Sequence, residues 1–401
     1  MTRANTRMAW CVAFLLCATA AEAAPSITLS KRIGPPTTKI LISGRGFQPN
    51  VGVDIYFDTK DEALVVTNNE GEFHKAVIHA PRSAHPGKHW VTALERNNDQ
   101  GDQELFVVNT NWDQFHFDAN GTRLNPYENV LNDKTVGNLN LKWRYTTNLW
   151  VVSSPVVADG VLYVGSGDFN VYALDARNGV KLWNYPTGDF VVASPAVANR
   201  VVYVGSEDSN FYALKTSNGE KLWSYATGQV SSPAVVANGV VYVGAGGGAF
   251  ALDAATGSLI WNYPTGVSPD YLSNVVAGVI YVGSYNGDIY ALDASSGALL
   301  WSTYVPVAIL APPTVANGIL FVGGQNINQN MYALDASTGA TLWSSHRCQE
   351  TMQVTPAVAN GVVYVGCDDG YVYALNPLTG APLWSYFTAK NTTPTPVVRV
   401  C

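Results

Sequence analysis

The chain has 401 residues, of which 13% are charged, about half the ~25% of an average globular protein, while Gly (36), Tyr (21) and Trp (11) are abundant. That balance excludes a disordered or coiled-coil chain and points to a β-rich protein with many tight turns. The formal net charge of −7 argues against nucleic acid or an anionic membrane surface as partner.

Residues 1–23 read as a secretion signal. Arg3 and Arg7 form a basic start, residues 8–20 are apolar, and Ala21-Glu22-Ala23 is a small-x-small cleavage site. The apolar run is too short to span a bilayer, and Leu16 stands where a lipid-attachment cysteine at 17 would need a small residue. The expectation is an exported protein, periplasmic or extracellular, with no transmembrane segment in the mature chain. Cys11 and Cys17 leave with the signal, so Cys348, Cys367 and Cys401 remain, enough for one disulfide in an oxidising compartment.

Residues 24–110 show strand candidates at 39–43, 53–58, 63–67, 73–79, 89–94 and 104–108, separated by turn signals, which suggests a β-sandwich. His74, His79, His85 and His89 raise the question of a metal. Five residues separate His74 from His79, an odd number, so a regular strand would put them on opposite faces, and solvated surface histidines are the reading adopted.

Residues 111–139 form a lead-in, and residues 140–401 are a repeat. Trp143, Trp183, Trp223, Trp261, Trp301, Trp343 and Trp384 are spaced 40, 40, 38, 40, 42 and 41 residues apart. A period near forty built of short strands signals propeller blades. One unit reads as strands at 194–198, 201–205, 211–215 and 220–225. The first is thin (Ser, Pro, Ala, Val) and suits the crowded axis. The outer ones carry Tyr, Leu and Trp, which suit the widening rim. Six complete units are expected, and a lone fourth strand at Trp143 with a lone first strand at 392–401 supplies part of a seventh, which reads as an incomplete last blade. The fold class is therefore all-β: a β-propeller of four-stranded blades preceded by a β-sandwich.

Six times the frame Ala-x-Asp-x-x-x-Gly-x-x-x-Trp returns, as in ALDARNGVKLW at 173–183, with Lys215 and Asn376 in place of the Asp in two copies. The Gly suits a turn with positive φ, the Asp can cap that turn, and the Trp fills the gap to the next blade. A catalytic carboxylate would not be exchanged so freely.

On these residues the chain from 111 onward resembles the PQQ-repeat β-propellers of the quinoprotein alcohol dehydrogenase-like superfamily, and the frame resembles their tryptophan docking motif. Members include dehydrogenases, a scaffold of outer-membrane protein assembly and exported proteins of other roles. The segments SGRGFQPNVGVDIYFD, GEFHKAVIHAP and PGKHWVTAL resemble immunoglobulin-like modules of the IPT/TIG kind, which serve as spacers or adhesion units. For the dehydrogenases the resemblance implies PQQ with calcium, a catalytic Asp and a vicinal disulfide. This sequence has no adjacent cysteines and lacks the long insertions that carry those ligands, and turn formation accounts for Asp168, Asp208, Asp288, Asp368 and Asp369.

No Gly-x-Ser-x-Gly elbow, His-Glu-x-x-His helix or phosphate loop is present, and the Gly-rich 243–250 stretch reads as a shortened blade turn. With no catalytic constellation found, the expectation is an exported, non-catalytic scaffold or recognition protein, without a cofactor, that binds a protein or glycan partner of the cell envelope or a small ligand. A PQQ-dependent oxidoreductase is the alternative.

The loops from fourth to first strand cross one face of the ring and depart most from the repeat. Their residues Asn148, Trp150, Asp189, Phe190, Gln229, Asp270, Tyr271, Glu350, Met352 and Gln353 are the candidate ligand-binding set. Packing that seals the funnel is the competing reading for the aromatics. On the same face Cys348 replaces the Gly seen at 188, and Cys367 replaces the Ser seen at 206, which makes them the disulfide candidates and leaves Cys401 unpaired.

Overall fold

The computed structural model describes residues 24–112, 137, 139–266, 270–272, 275–325, 330–348, 352 and 354–388. The expected signal sequence, most of the lead-in, the expected strand at 392–401 and Cys401 lie outside the described residues. The chain divides into two units, 1–109 and 110–401. No α-helix occurs among the described residues, and none is long and apolar enough to cross a membrane.

The first unit has eight strands: β1 Ser26–Leu29, β2 Ile33–Gly34, β3 Lys39–Arg45, β4 Gly52–Phe57, β5 Lys60–Val66, β6 Phe73–His79, β7 Gly87–Glu95 and β8 Gly101–Val108. They form one sheet in the order β1-β3-β6 and another in the order β2-β8-β7-β4-β5. Alternate residues of both sheets, among them Ile40, Ile42 and Ile78 from one and Val53, Ile55 and Phe106 from the other, share one core. The very short β1 and β2 escaped the sequence reading. A bulge corrects the reading of the histidines: Lys75 has φ +56°, the β3–β6 register slips between Ile42 and Gly44, and His74 and His79 both end up on the outer face.

The second unit holds six antiparallel sheets, spanning 156–186, 196–226, 235–264, 270–304, 308–346 and 357–387, numbered here as blades one to six. Blade two runs Ala196–Ala198, Val201–Gly205, Asn210–Lys215 and Lys221–Ala226, hydrogen-bonded in that order. Strands such as Val201–Gly205 are buried on both faces because blade two lies between blades one and three. Most of the apolar clusters follow suit and join neighbouring blades, one and two through Tyr163, Val171 and Val202, five and six through Phe321, Met331 and Val363.

The recurring frame now has a geometric cause. Its Ala and Trp are direct cross-strand partners in every blade, as in Ala213 and Trp223, and a one-residue register slip follows each pair. The indole then reaches across to the next blade. Trp183 Nε1 donates to the carbonyl of Thr216 at 2.8 Å, and its ring covers Gly219, where φ is +73° and an added Cβ would lie 2.7 Å from the indole. The Asp caps its own turn: Asp253 Oδ1 accepts the N–H groups of Ala255 and Thr256, and Asn376 does the same for Leu378 and Thr379.

Three readings of the repeat need correction. Trp143 docks on blade one, donating to Ala176 O at 3.0 Å, yet residues 139–147 join no sheet, because no neighbouring strand of a seventh blade lies beside them among the described residues. In blade four the innermost strand is Asp270–Leu272, paired with Val279–Ser284, so Asp270 and Tyr271 are strand residues rather than loop residues. Leu272, 1% exposed, anchors that strand. Asp288 likewise opens a strand, Asp288–Asp293, and takes the place that Asn170 and Asn210 hold in blades one and two.

Candidate functional site

Each blade sends two connections to the candidate face: the turn between its second and third strands, and the loop from its fourth strand to the next blade. They are locked together. Ser166 and Ser206 cap their own turns, each offering Oγ to the N–H of Asp168 or Asp208. Asp208 Oδ2 in turn accepts the N–H of Gly188 (2.7 Å) and the Tyr212 hydroxyl (2.7 Å). Asp168 repeats this with the N–H of Asn148 (2.9 Å) and the Tyr172 hydroxyl (2.8 Å). Burial would raise the Asp168 pKa, but the bonds from Asn148, Tyr172, Asn170 and Ser166 outweigh it and hold the carboxyl below its usual range. Burial, reinforced by Asp168, pushes the Tyr172 phenol far above its own.

In blade six a covalent bond takes over this junction. Cys348 and Cys367 are joined by a disulfide with a Cα–Cα distance of 5.6 Å, while Asp369 still accepts the Tyr373 hydroxyl at 2.7 Å. These two cysteines and Asp369 are close enough to suggest a metal site, but sulfurs engaged in a disulfide are not ligands.

The candidate residues separate into groups. Met352 is 2% exposed and belongs to the core between blades five and six, with its sulfur against Gly323, so it lines no cavity. Tyr271 is half-buried, and burial raises its phenol pKa; it acts as packing at the inner strand of blade four. Asn148 and Gln229 are exposed, but the structure uses their backbones, the carbonyl of Gln229 accepting the N–H of Gly246. Glu350 and Gln353 lie outside the described residues.

Trp150 and Phe190 come together. Their ring centroids are 5.1 Å apart, and Phe169, which the sequence reading did not single out, adds a third ring 5.3 Å from Phe190. Trp150 is 46% and Phe169 40% exposed. The fold does not demand this row. The carbonyls of Trp150 and Phe190 accept the N–H groups of Gly167 and Glu207, and Gln229 performs the same duty one blade on. Phe169 has φ +69°, at a turn position that is Ser209, Gly287 and Gly370 in other blades, and a bulky residue there is strained. An aromatic at a glycine-compatible position of the repeat was the available sequence signal. Asp189 and Phe190 sit on one loop, and Asp189 caps the Phe190 N–H at 2.8 Å.

Among the described residues, the side chains do not fit a quinone with calcium. The disulfide joins cysteines 19 positions apart rather than adjacent ones, and the carboxylates of Asp168, Asp208 and Asp369 are occupied by tyrosine hydroxyls and N–H groups.

The family model described as outer membrane protein assembly factor BamB matches residues 140–276 and 266–400. No curated protein matches the sequence. Among solved structures, BamB from Moraxella catarrhalis aligns with a TM-score of 0.54 at 22% identity over 62% of this chain and 80% of that one, a likeness of fold. Quinohemoprotein alcohol dehydrogenase from Comamonas testosteroni aligns with a TM-score of 0.48 at 17% identity over 71% of this chain and 74% of that one. Six repeats of one docking frame, six antiparallel blade sheets of four or five strands among the described residues and a match reaching from 140 to 400 agree: the chain belongs to the family of outer membrane protein assembly factor BamB, whose fold is the PQQ-repeat β-propeller.

Proposed function

We propose that this is an exported, non-catalytic scaffold of the cell envelope whose propeller holds a protein partner on its loop face, with the N-terminal sandwich as a spacer. The observation that carries the reading is the row Trp150–Phe190–Phe169, three partly exposed rings of which Phe169 sits at a strained turn position that the blade itself does not require. A non-catalytic role is supported by acidic side chains that serve turns and blade junctions. The family's name supports an envelope partner that is a protein. A photo-cross-linking residue at position 190, with one at the exposed rim position Ile260 as reference, tests the reading in intact envelopes. Adducts with one defined protein at 190 and none at 260 are expected; adducts at 260 alone would place the contact on the blade edge and end the proposal.

A further inference from the structure

The aromatic row lies in an acidic setting. The connections around it, residues 147–155, 166–169, 187–195 and 206–209, contain Asp168, Asp189, Glu207 and Asp208 and no lysine or arginine. Asp168 and Asp208 are committed to the blade junctions. Asp189 uses Oδ1 on the Phe190 N–H, and Glu207 uses Oε1 on the Ser231 hydroxyl at 3.4 Å, and neither second oxygen is engaged among the described residues. The Glu207 N–H donates to the Phe190 carbonyl at 2.9 Å, which ties the Glu207 backbone to the loop that carries Phe190.

Flat rings partly open to solvent, on connections that carry carboxylates and no lysine or arginine, match a planar cation. A guanidinium stacks on an aromatic face while donating sideways to carboxylates, and an ammonium can do only one of these well. A neutral glycan would use the rings but gains nothing from a net charge of one sign. We infer that the row Trp150–Phe190–Phe169, flanked by Asp189 and Glu207, takes up an extended arginine-bearing segment of the partner protein. This deepens the reading above and rests on it.

The test uses the full mature chain and the probe peptide acetyl-(Arg-Gly)4-amide, with the lysine and glutamate versions and cellohexaose as comparisons, followed by calorimetry and tryptophan fluorescence. The arginine peptide is expected to bind saturably, at least about fivefold tighter than the lysine peptide, and to weaken as salt rises. Trp150→Ala and Phe169→Gly should each lose about tenfold or more and Glu207→Gln about threefold, in the range of central contacts, while Glu220→Gln, on a turn of the opposite face, should bind as wild type. Because glycine accepts φ +69° freely, Phe169→Gly should melt no lower than wild type, which separates lost binding from lost folding. Equal arginine and lysine affinities, wild-type binding by Trp150→Ala and Phe169→Gly, or cellohexaose binding through those residues would each overturn the inference. Adducts at position 190 without arginine-peptide binding would remove the arginine chemistry and leave the scaffold reading standing.

Discussion

A tryptophan in this chain stabilises the fold according to what its neighbour blade offers. Trp261 is 7% exposed and donates to Ala294 O at 3.0 Å, whereas Trp384 is 48% exposed. Trp261→Ala should therefore cost about 3–5 kcal/mol, the range for deleting a large buried aromatic, and Trp384→Ala less than about 2 kcal/mol, because half of its surface already meets water. Urea titrations of the two variants check this; equal losses would mean that the docking geometry is not what stabilises the blades. The turn aspartates make a second prediction. The hydroxyls of Ser295 and Ser296, with their N–H groups, lower Asp293 to about 2, and the side chain and N–H of Arg177 lower Asp175 to about 2. An unfolded Asp titrates near ~3.9. A depressed folded pKa gives stability that is present above ~3.9 and lost as pH falls through about 2. Melting temperature should drop between pH 4 and 2, and Asp293→Asn, which copies Asn376 of blade six, should flatten that limb at little cost at pH 7. An acid limb that overlays the wild-type curve would show that Asp293 does not contribute to it.

At the level of a blade junction, the same joint is closed in two ways. Blade two uses the Gly188 N–H on Asp208 and the Ser206 hydroxyl on the carbonyls of Asp189 and Phe190, and blade six uses the 348–367 disulfide. A cross-link across 19 positions restricts the unfolded chain by about 3 kcal/mol. Reduction should lower stability by that order. The double change Cys348→Gly with Cys367→Ser should lose less, because it restores the residues that close the joint elsewhere. Chemical denaturation with and without reductant measures both, and a double variant less stable than the reduced protein would show that blade six cannot use the hydrogen-bonded joint.

The molecule consists of two units with separate cores. The first carries a core of sixteen buried apolar residues among the described ones, from Ile27 to Val108, shared by its two sheets. That is enough for independent folding. A fragment of residues 24–109 should unfold in one cooperative urea transition, followed by the near-ultraviolet signal of its aromatic residues, and a broad, non-cooperative melt would mean that the sandwich depends on the rest of the chain. The propeller is additive in another sense: blades two to five each supply half of two interfaces. Trp143 makes its indole bond to blade one, while residues 139–147 join no sheet among the described residues.

Much of this was legible in the residues. The forty-residue period, the thin inner strands and the Ala–Gly–Trp frame specify blades because each depends on local sterics: a left-handed turn that needs glycine, a cross-strand alanine that makes room, an indole that needs a wide gap. The cysteine pair could be singled out because two repeats lines departed from pattern on the same face. The candidate site was only half legible. Loop position alone could not separate Met352, drawn into the core between blades five and six, from Trp150, left in water; that difference depends on what the neighbouring blade presents. Phe169 was missed because the turn between second and third strands looks structural in every copy. Nor could alternation foresee the bulge at Lys75 or the displaced inner strand at Asp270–Leu272. Local patterns carry the information for strands and turns, whereas exposure, strain and the meeting of side chains from different blades arise only when the ring brings distant segments together.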